Sequence, residues 1–98
     1  MSVYMIAMYN LTDEQTHMEY ALGADRIMEK HNGRLLGATT DGLLLEGDQV
    51  GCGVVINFPT REDAMAFFND AEYQELKPMR HAATTNANIM LIDAPLSV

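Results

Sequence analysis

A second cysteine is missing from this sequence, which excludes an internal disulfide and any metal site built from several thiolates of one chain. The lone Cys52 lies in the apolar run VGCGVVINF with no basic neighbour to favour a thiolate, so it reads as a buried, unreactive thiol. Positive charge is also scarce. Six Lys and Arg stand against fourteen Asp and Glu, and the formal net charge of −8 opposes nucleic-acid phosphates and anionic membrane surfaces alike. No apolar run approaches the ~18 residues that a membrane span requires, and the opening MSVYMIAMYN carries neither a basic n-region nor a small-residue cleavage site. The expectation is a cytoplasmic protein with no nucleic-acid and no membrane partner.

Chemical motifs are sparse as well. There is no H-x-H, no H-E-x-x-H and no G-x-S-x-G, and GCG inside an apolar run is not a phosphate-cradling loop. His17 and His31 fall on one predicted helix but are separated by roughly 21 Å at ~1.5 Å per residue, too far to chelate one ion. No metal and no cofactor are expected.

What is present is a regular alternation of elements. With 98 residues and 48% hydrophobic content, the chain predicts one compact domain over 1–98. SVYMIAMY reads as a strand. In the following LTDEQTHMEYALGADRIMEKHNG, Thr12 and Gln15 match a capping box and Asn32 with Gly33 supply a stop. His17, Tyr20, Ala21, Ala24, Ile27, Met28 and His31 form the sheet-facing stripe of that helix, and His31 suits the negative end of its dipole. RLLGATTDGLLLEG predicts a second strand running into an irregular hairpin at Asp41 and Gly42, with a further turn at Glu46, Gly47 and Asp48. VGCGVVINF is the third strand, Thr60 caps a helix REDAMAFFND, and NANIMLIDA is the fourth strand before a PLSV tail. This order gives an α+β, ferredoxin-like βαββαβ fold, a four-stranded antiparallel sheet with its helices on one face.

An antiparallel sheet with one wet face should alternate apolar and polar residues. Here Tyr4, Ile6 and Met8 oppose Val3, Met5, Ala7 and Tyr9, while Ile89 and Leu91 oppose Met90 and Ile92. Both faces are apolar, yet the helices cover only one. A homodimer with the two sheets face to face, closing a joint barrel, is the expected cover.

EYQELKPMRHAA gathers Tyr73, Lys77, Arg80 and His81 in an otherwise acidic chain, with Pro78 marking a bend or restart. On a helix, Arg80 falls between an apolar and a polar side. Two readings stay open: an internal salt bridge to an acid such as Glu72 or Asp25, or a guanidinium fork that holds a ligand carboxylate. Tyr20 and Asn57 are polar members of apolar surroundings, and with Arg80 and Tyr73 they are expected to form a polar cluster between helices and sheet.

The segments MEYALGADRIMEKHNGRLLG, LLLEGD, VVINFPTREDAMAFFNDAEYQELKPMRHAA and IMLIDA resemble the domain-of-unknown-function 1330 (DUF1330) family, small bacterial members of the dimeric α/β-barrel superfamily. The resemblance covers nearly the whole chain and places Tyr20, Gly33, Glu46, Gly47, Phe58, Tyr73, Lys77, Pro78 and Arg80 on family-pattern positions. Two departures stand out: Asn32 and Gly33 replace a glycine pair, and GATTDG replaces an A-R-G-G turn. The resemblance implies the dimeric ferredoxin-like fold and little about activity; by analogy with related dimeric α/β-barrel proteins, a pocket between sheet and helices would take a small organic ligand. Arg80, Tyr73, Tyr20 and Asn57 would then be ligand-binding, and His81 or His17 candidate proton carriers. The alternative is a non-catalytic dimerisation or sensing module in which Arg80 is purely structural.

Overall fold

A computed structural model describes residues 2–94; the expected PLSV tail lies outside them. Strand β1 runs Val3–Leu11, helix α1 Glu14–Lys30, β2 Arg34–Thr39, β3 Cys52–Phe58, α2 Arg61–Phe68, α3 Ala71–Ala83 and β4 Thr84–Asp93. The strands form one antiparallel sheet in the order β2-β3-β1-β4, as the ferredoxin-like pattern requires. The second crossover holds two helices, α2 and α3, where the βαββαβ order counted one.

Helix boundaries follow from local polar chemistry. The α1 cap is Asp13 and not Thr12: its carboxylate accepts from the Thr16 N–H at 3.1 Å and from the Thr16 hydroxyl at 2.7 Å. Thr12 is unavailable to the helix because its N–H donates to the Ala83 carbonyl at 2.8 Å, extending the pairing between the end of β1 and the start of β4. At the other end Asn32 adopts φ 67°, and the Gly33 and Asn32 N–H groups return to Met28 and Glu29 carbonyls, a Schellman stop. Thr60 caps α2 as expected, accepting from the Asp63 N–H at 3.0 Å. Pro78 neither ends nor restarts a helix, since α3 continues through it. The expected turn at Glu46 to Asp48 is made by Gly47 at φ 111°.

The alternation of β1 sets the layers. Val3, Met5 and Tyr9 are buried under the helices, across from Phe58, Ile56 and Cys52 of β3. Tyr20, Ile27 and Met28 of α1, Ala64 and Phe67 of α2 and Tyr73 of α3 complete this core. Tyr4, Ile6 and Met8 point to the other face, where Met90 is 59% and Ile92 37% exposed. That face is apolar, and among the described residues no helix covers it.

Asp70 pins α1 to α3. It caps α3 through the Glu72 N–H at 2.8 Å, and its other oxygen meets His31 Nε2 at 2.7 Å and Lys30 Nζ at 3.1 Å. His31 therefore acts at the helix end mainly by joining two helices. These partners, His31 first, hold the Asp70 carboxyl well below the usual carboxylate range.

A carboxyl held low stabilises the fold at pH above its unfolded value, and that contribution is lost as pH falls toward the folded value. Asp70→Asn keeps a capping side chain but removes the charge. Its thermal midpoint is expected below that of the native chain at neutral pH, with the gap closing as pH drops below about 4. An unchanged gap across an acid titration followed by circular dichroism would contradict this role for Asp70.

Candidate functional site

Between the helix layer and the sheet lies a cavity of about 510 Å³, within the size range of small-molecule sites. Its walls are built by periodicity. His17, Tyr20, Ala21 and Ala24 project from one stripe of α1, Met5, Ala7 and Tyr9 from alternate positions of β1, and Cys52, Val54 and Ile56 from alternate positions of β3. Tyr73 and Arg80, two turns apart on α3, close one side. Leu35, Ala38, Thr39, Thr40 and Asp41 line it from β2 and the residues that follow. The GATTDG segment therefore forms part of the cavity wall.

Arg80 is only 4% exposed, and its Nε is fully buried with no hydrogen-bond partner. Ion pairs among the described residues join Lys30 to Asp70 and Glu72, His31 to Asp70, and Arg61 to Asp93. Arg80 takes part in none of them, so of the two open readings the internal bridge to Glu72 or Asp25 is not formed. Its guanidinium carbon lies 6.0 Å from the centre of the Tyr20 ring, close enough for attraction to the ring face. A buried guanidinium without a carboxylate is costly to keep, and here it lines a mostly apolar cavity.

The tyrosines surround it. Tyr20 and Tyr73 share a hydroxyl–hydroxyl hydrogen bond of 2.8 Å. Burial, with the Tyr73 hydroxyl adding to it, pushes the Tyr20 phenol far up, so it remains neutral. Tyr9 is likewise raised, by burial first and then by the adjacent Cys52 thiol. Its hydroxyl lies 2.6 Å from His17 Nε2, and burial lowers the His17 pKa, favouring the neutral imidazole. Asp25, at the cavity wall, is raised by burial and by its neighbour Glu29.

Of the residues singled out from sequence, Arg80, Tyr73, Tyr20 and His17 line one cavity. Asn57 does not join them. It pairs with Tyr4 in the register, on the sheet face away from the helices, and donates to the Val3 carbonyl at 3.1 Å. The reason is parity: Ile56 and Phe58 take the inward positions of β3. His81 is exposed on α3 and is absent from the cavity wall. Cys52 is buried, with burial raising its thiol, and it does contribute to the wall. Among the described residues no group of three or more His, Cys, Asp and Glu is placed to hold a metal ion, and no helix is long and apolar enough to cross a membrane. Tyr9 was missed as a site residue, although its place on the same strand face as Met5 and Ala7, and just ahead of the helix bearing His17, was a usable signal.

The paired hydroxyls make a sharp stability test. Tyr20→Phe or Tyr73→Phe leaves the other hydroxyl buried without its partner, at an expected cost of about 1–3 kcal/mol. The double variant should lose clearly less than the sum. Strict additivity in urea denaturation would show that the two hydroxyls do not depend on each other.

A family model described as "Domain of unknown function (DUF1330)" matches residues 2–95. No curated protein matches the chain. Among solved structures, a protein of unknown function from Rhodopseudomonas palustris superposes with TM-score 0.83 at 15% identity, over 99% of this chain and 84% of its own. The hydroxynitrile lyase from Passiflora edulis gives TM-score 0.74 at 10% identity, covering 99% of this chain and 96% of the enzyme. A dimeric ferredoxin-like protein of unknown function from Jannaschia gives 0.66 at 15% identity, covering 96% of this chain and all of that one (100%). At these identities the likeness is one of fold.

Proposed function

The chain belongs to the domain-of-unknown-function family DUF1330, and from that premise we propose that it binds a small anionic organic molecule in the cavity between helices and sheet, as a cofactor-independent enzyme. One observation carries the reading: Arg80, nearly fully buried, has no carboxylate partner among the described residues and lines a cavity whose walls are mostly apolar, with Asp25 and Asp41 as the acids on its lining. A ligand carboxylate would supply the charge and the acceptor that the chain itself withholds, in the planar geometry that arginine matches. Apolar walls from Met5, Ala7, Ala21, Ala24, Val54 and Ile56 suit a hydrocarbon or aromatic body. Tyr20 and Tyr73 orient the bound group beside Arg80. The fold shared with a hydroxynitrile lyase supports a catalytic reading by analogy of scaffold alone.

Arg80→Met separates this from a purely structural arginine. Removing an unpaired buried charge in favour of an apolar side chain of similar length should leave the unliganded protein at least as stable. A thermal-shift panel of small carboxylates, benzoate and succinate among them, should raise the native midpoint for at least one member. At tenfold excess over Kd the gain is about 1.4 kcal/mol, roughly 5 °C or more in a chain this short. The variant should show no such rise. Loss of stability in Arg80→Met, with no carboxylate shifting either protein, would favour the structural role.

The proposed assembly is a homodimer through the open sheet face, in keeping with neighbours described as dimeric. Tyr4, Ile6, Met8, Val55, Met90 and Ile92 supply a contiguous apolar surface on β1, β3 and β4. Each large apolar side chain left in water forgoes ~1.5–3 kcal/mol, and a second copy offers the same surface in return. Light scattering at micromolar concentration should report about twice the 10.9 kDa chain mass, and Met90→Glu should shift it toward one chain. A native chain that stays monomeric would contradict the assembly.

A further inference from the structure

Tyr9 and His17 meet at the cavity wall in a contact that anion binding leaves without a purpose. Tyr9 comes from β1 and His17 from the first turns of α1, and their side chains approach to 2.6 Å between Oη and Nε2. The rings stand edge to face at 5.3 Å between centres, and His17 in turn lies 5.8 Å from the Tyr20 ring. Tyr20 sits against Arg80. A phenol, an imidazole and a guanidinium thus share one wall of one cavity. A buried phenol needs only some acceptor to be satisfied. In the tautomer with Nε2 unprotonated, the imidazole accepts from the phenol, and such an acceptor is a base that can keep a proton.

We infer that Tyr9 and His17 form a proton-transfer pair acting on a carbon acid, a small carboxylate with an enolisable carbonyl whose carboxylate rests on Arg80. This deepens the anion-binding reading and rests on it. A neutral phenol can accept a proton from carbon only if it releases its own, and His17 Nε2 is in place to receive it. In the step, Tyr9 Oη takes the proton from the carbon beside the carbonyl while its own proton passes to Nε2. The C–H electron pair moves into the carbonyl system to give an enolate, leaving neutral Tyr9 and an imidazolium. Arg80 offsets the negative charge that develops. Return of a proton to carbon completes an exchange or an isomerisation, with nothing oxidised or reduced and no co-reactant consumed. Burial favours the uncharged form of His17, the form able to accept, and raises the Tyr9 phenol so that it favours keeping its proton.

The test is proton exchange at carbon. Pyruvate, levulinate and phenylpyruvate are incubated with the native protein in deuterium oxide, and loss of the signal of the hydrogens beside the carbonyl is followed by proton NMR, with binding of each measured in parallel by thermal shift. At least one binder should exchange on the order of 100-fold faster than in buffer, the scale of positioned acid–base catalysis. Tyr9→Phe and His17→Gln should each return the rate to near that of buffer while retaining the ligand-induced thermal shift. Arg80→Met should lose both. His17→Gln serves as the second variant because His17 is only partly buried, and its amide keeps a hydrogen-bonding partner for Tyr9. Binding that depends on Arg80 but brings no exchange above buffer would overturn the proton-transfer pair and leave anion binding standing. Full exchange in His17→Gln would likewise overturn it. If none of the three compounds binds, the pair and the anion-binding reading as it bears on keto acids fall together.

Discussion

Helices that pack on only one side of a four-stranded sheet impose two consequences at once. On the covered side, α1 and α3 are held together by the Asp70 cluster, between the end of α1 and the start of α3, and by the hydroxyl contact of Tyr20 with Tyr73 in the first turn of α3. The small Ala21 and Ala24 on the inner stripe of α1 and Ala7 on β1 line the cavity without filling it. On the bare side, an apolar surface of tyrosine, isoleucine, methionine and valine has no helix to meet it. Cavity and open face are two results of the same layering.

Polar side chains reach the cavity from several elements, Asp25 from α1 and Thr39, Thr40 and Asp41 from the end of β2 onward among them. Arg80, Tyr20, Tyr73, Tyr9 and His17 occupy one wall, and aliphatic side chains make most of the rest. Tyr–Tyr and Tyr–His hydrogen bonds satisfy the hydroxyls, whereas the guanidinium is left without an anion. In a small domain of limited stability, an uncompensated buried charge is a burden unless something recovers it. A bound carboxylate is the simplest recovery, and the neighbouring phenol–imidazole pair would then act at the far end of the same molecule.

Strand order, sheet topology and the inward stripe of α1 were legible in the sequence, because each depends on a repeating period that neighbours cannot override. Single-residue assignments were less secure. Thr12 had the right chemistry for a cap but was drawn into backbone pairing with Ala83, and Asp13 took its place. Pro78 lies inside a helix held on both sides by buried Tyr73, Arg80 and Ala83, whose packing outweighs one lost hydrogen bond. Asn57 was placed on the wrong side because, in a strand apolar on both faces, sequence alone does not tell inward from outward. The register against β1 decides it.

Composition, period and turn chemistry by themselves determined the α+β ferredoxin-like arrangement, the apolar surplus on the sheet and the gathering of Tyr73 and Arg80 on α3. Tertiary structure alone decided that Arg80 meets no acid, that Tyr9 touches His17, and that His81 is left outside. These depend on side chains from separate elements arriving within hydrogen-bond distance, or failing to. Such encounters are set by how helices sit on a twisted sheet in three dimensions, a quantity to which no local run of residues is sensitive.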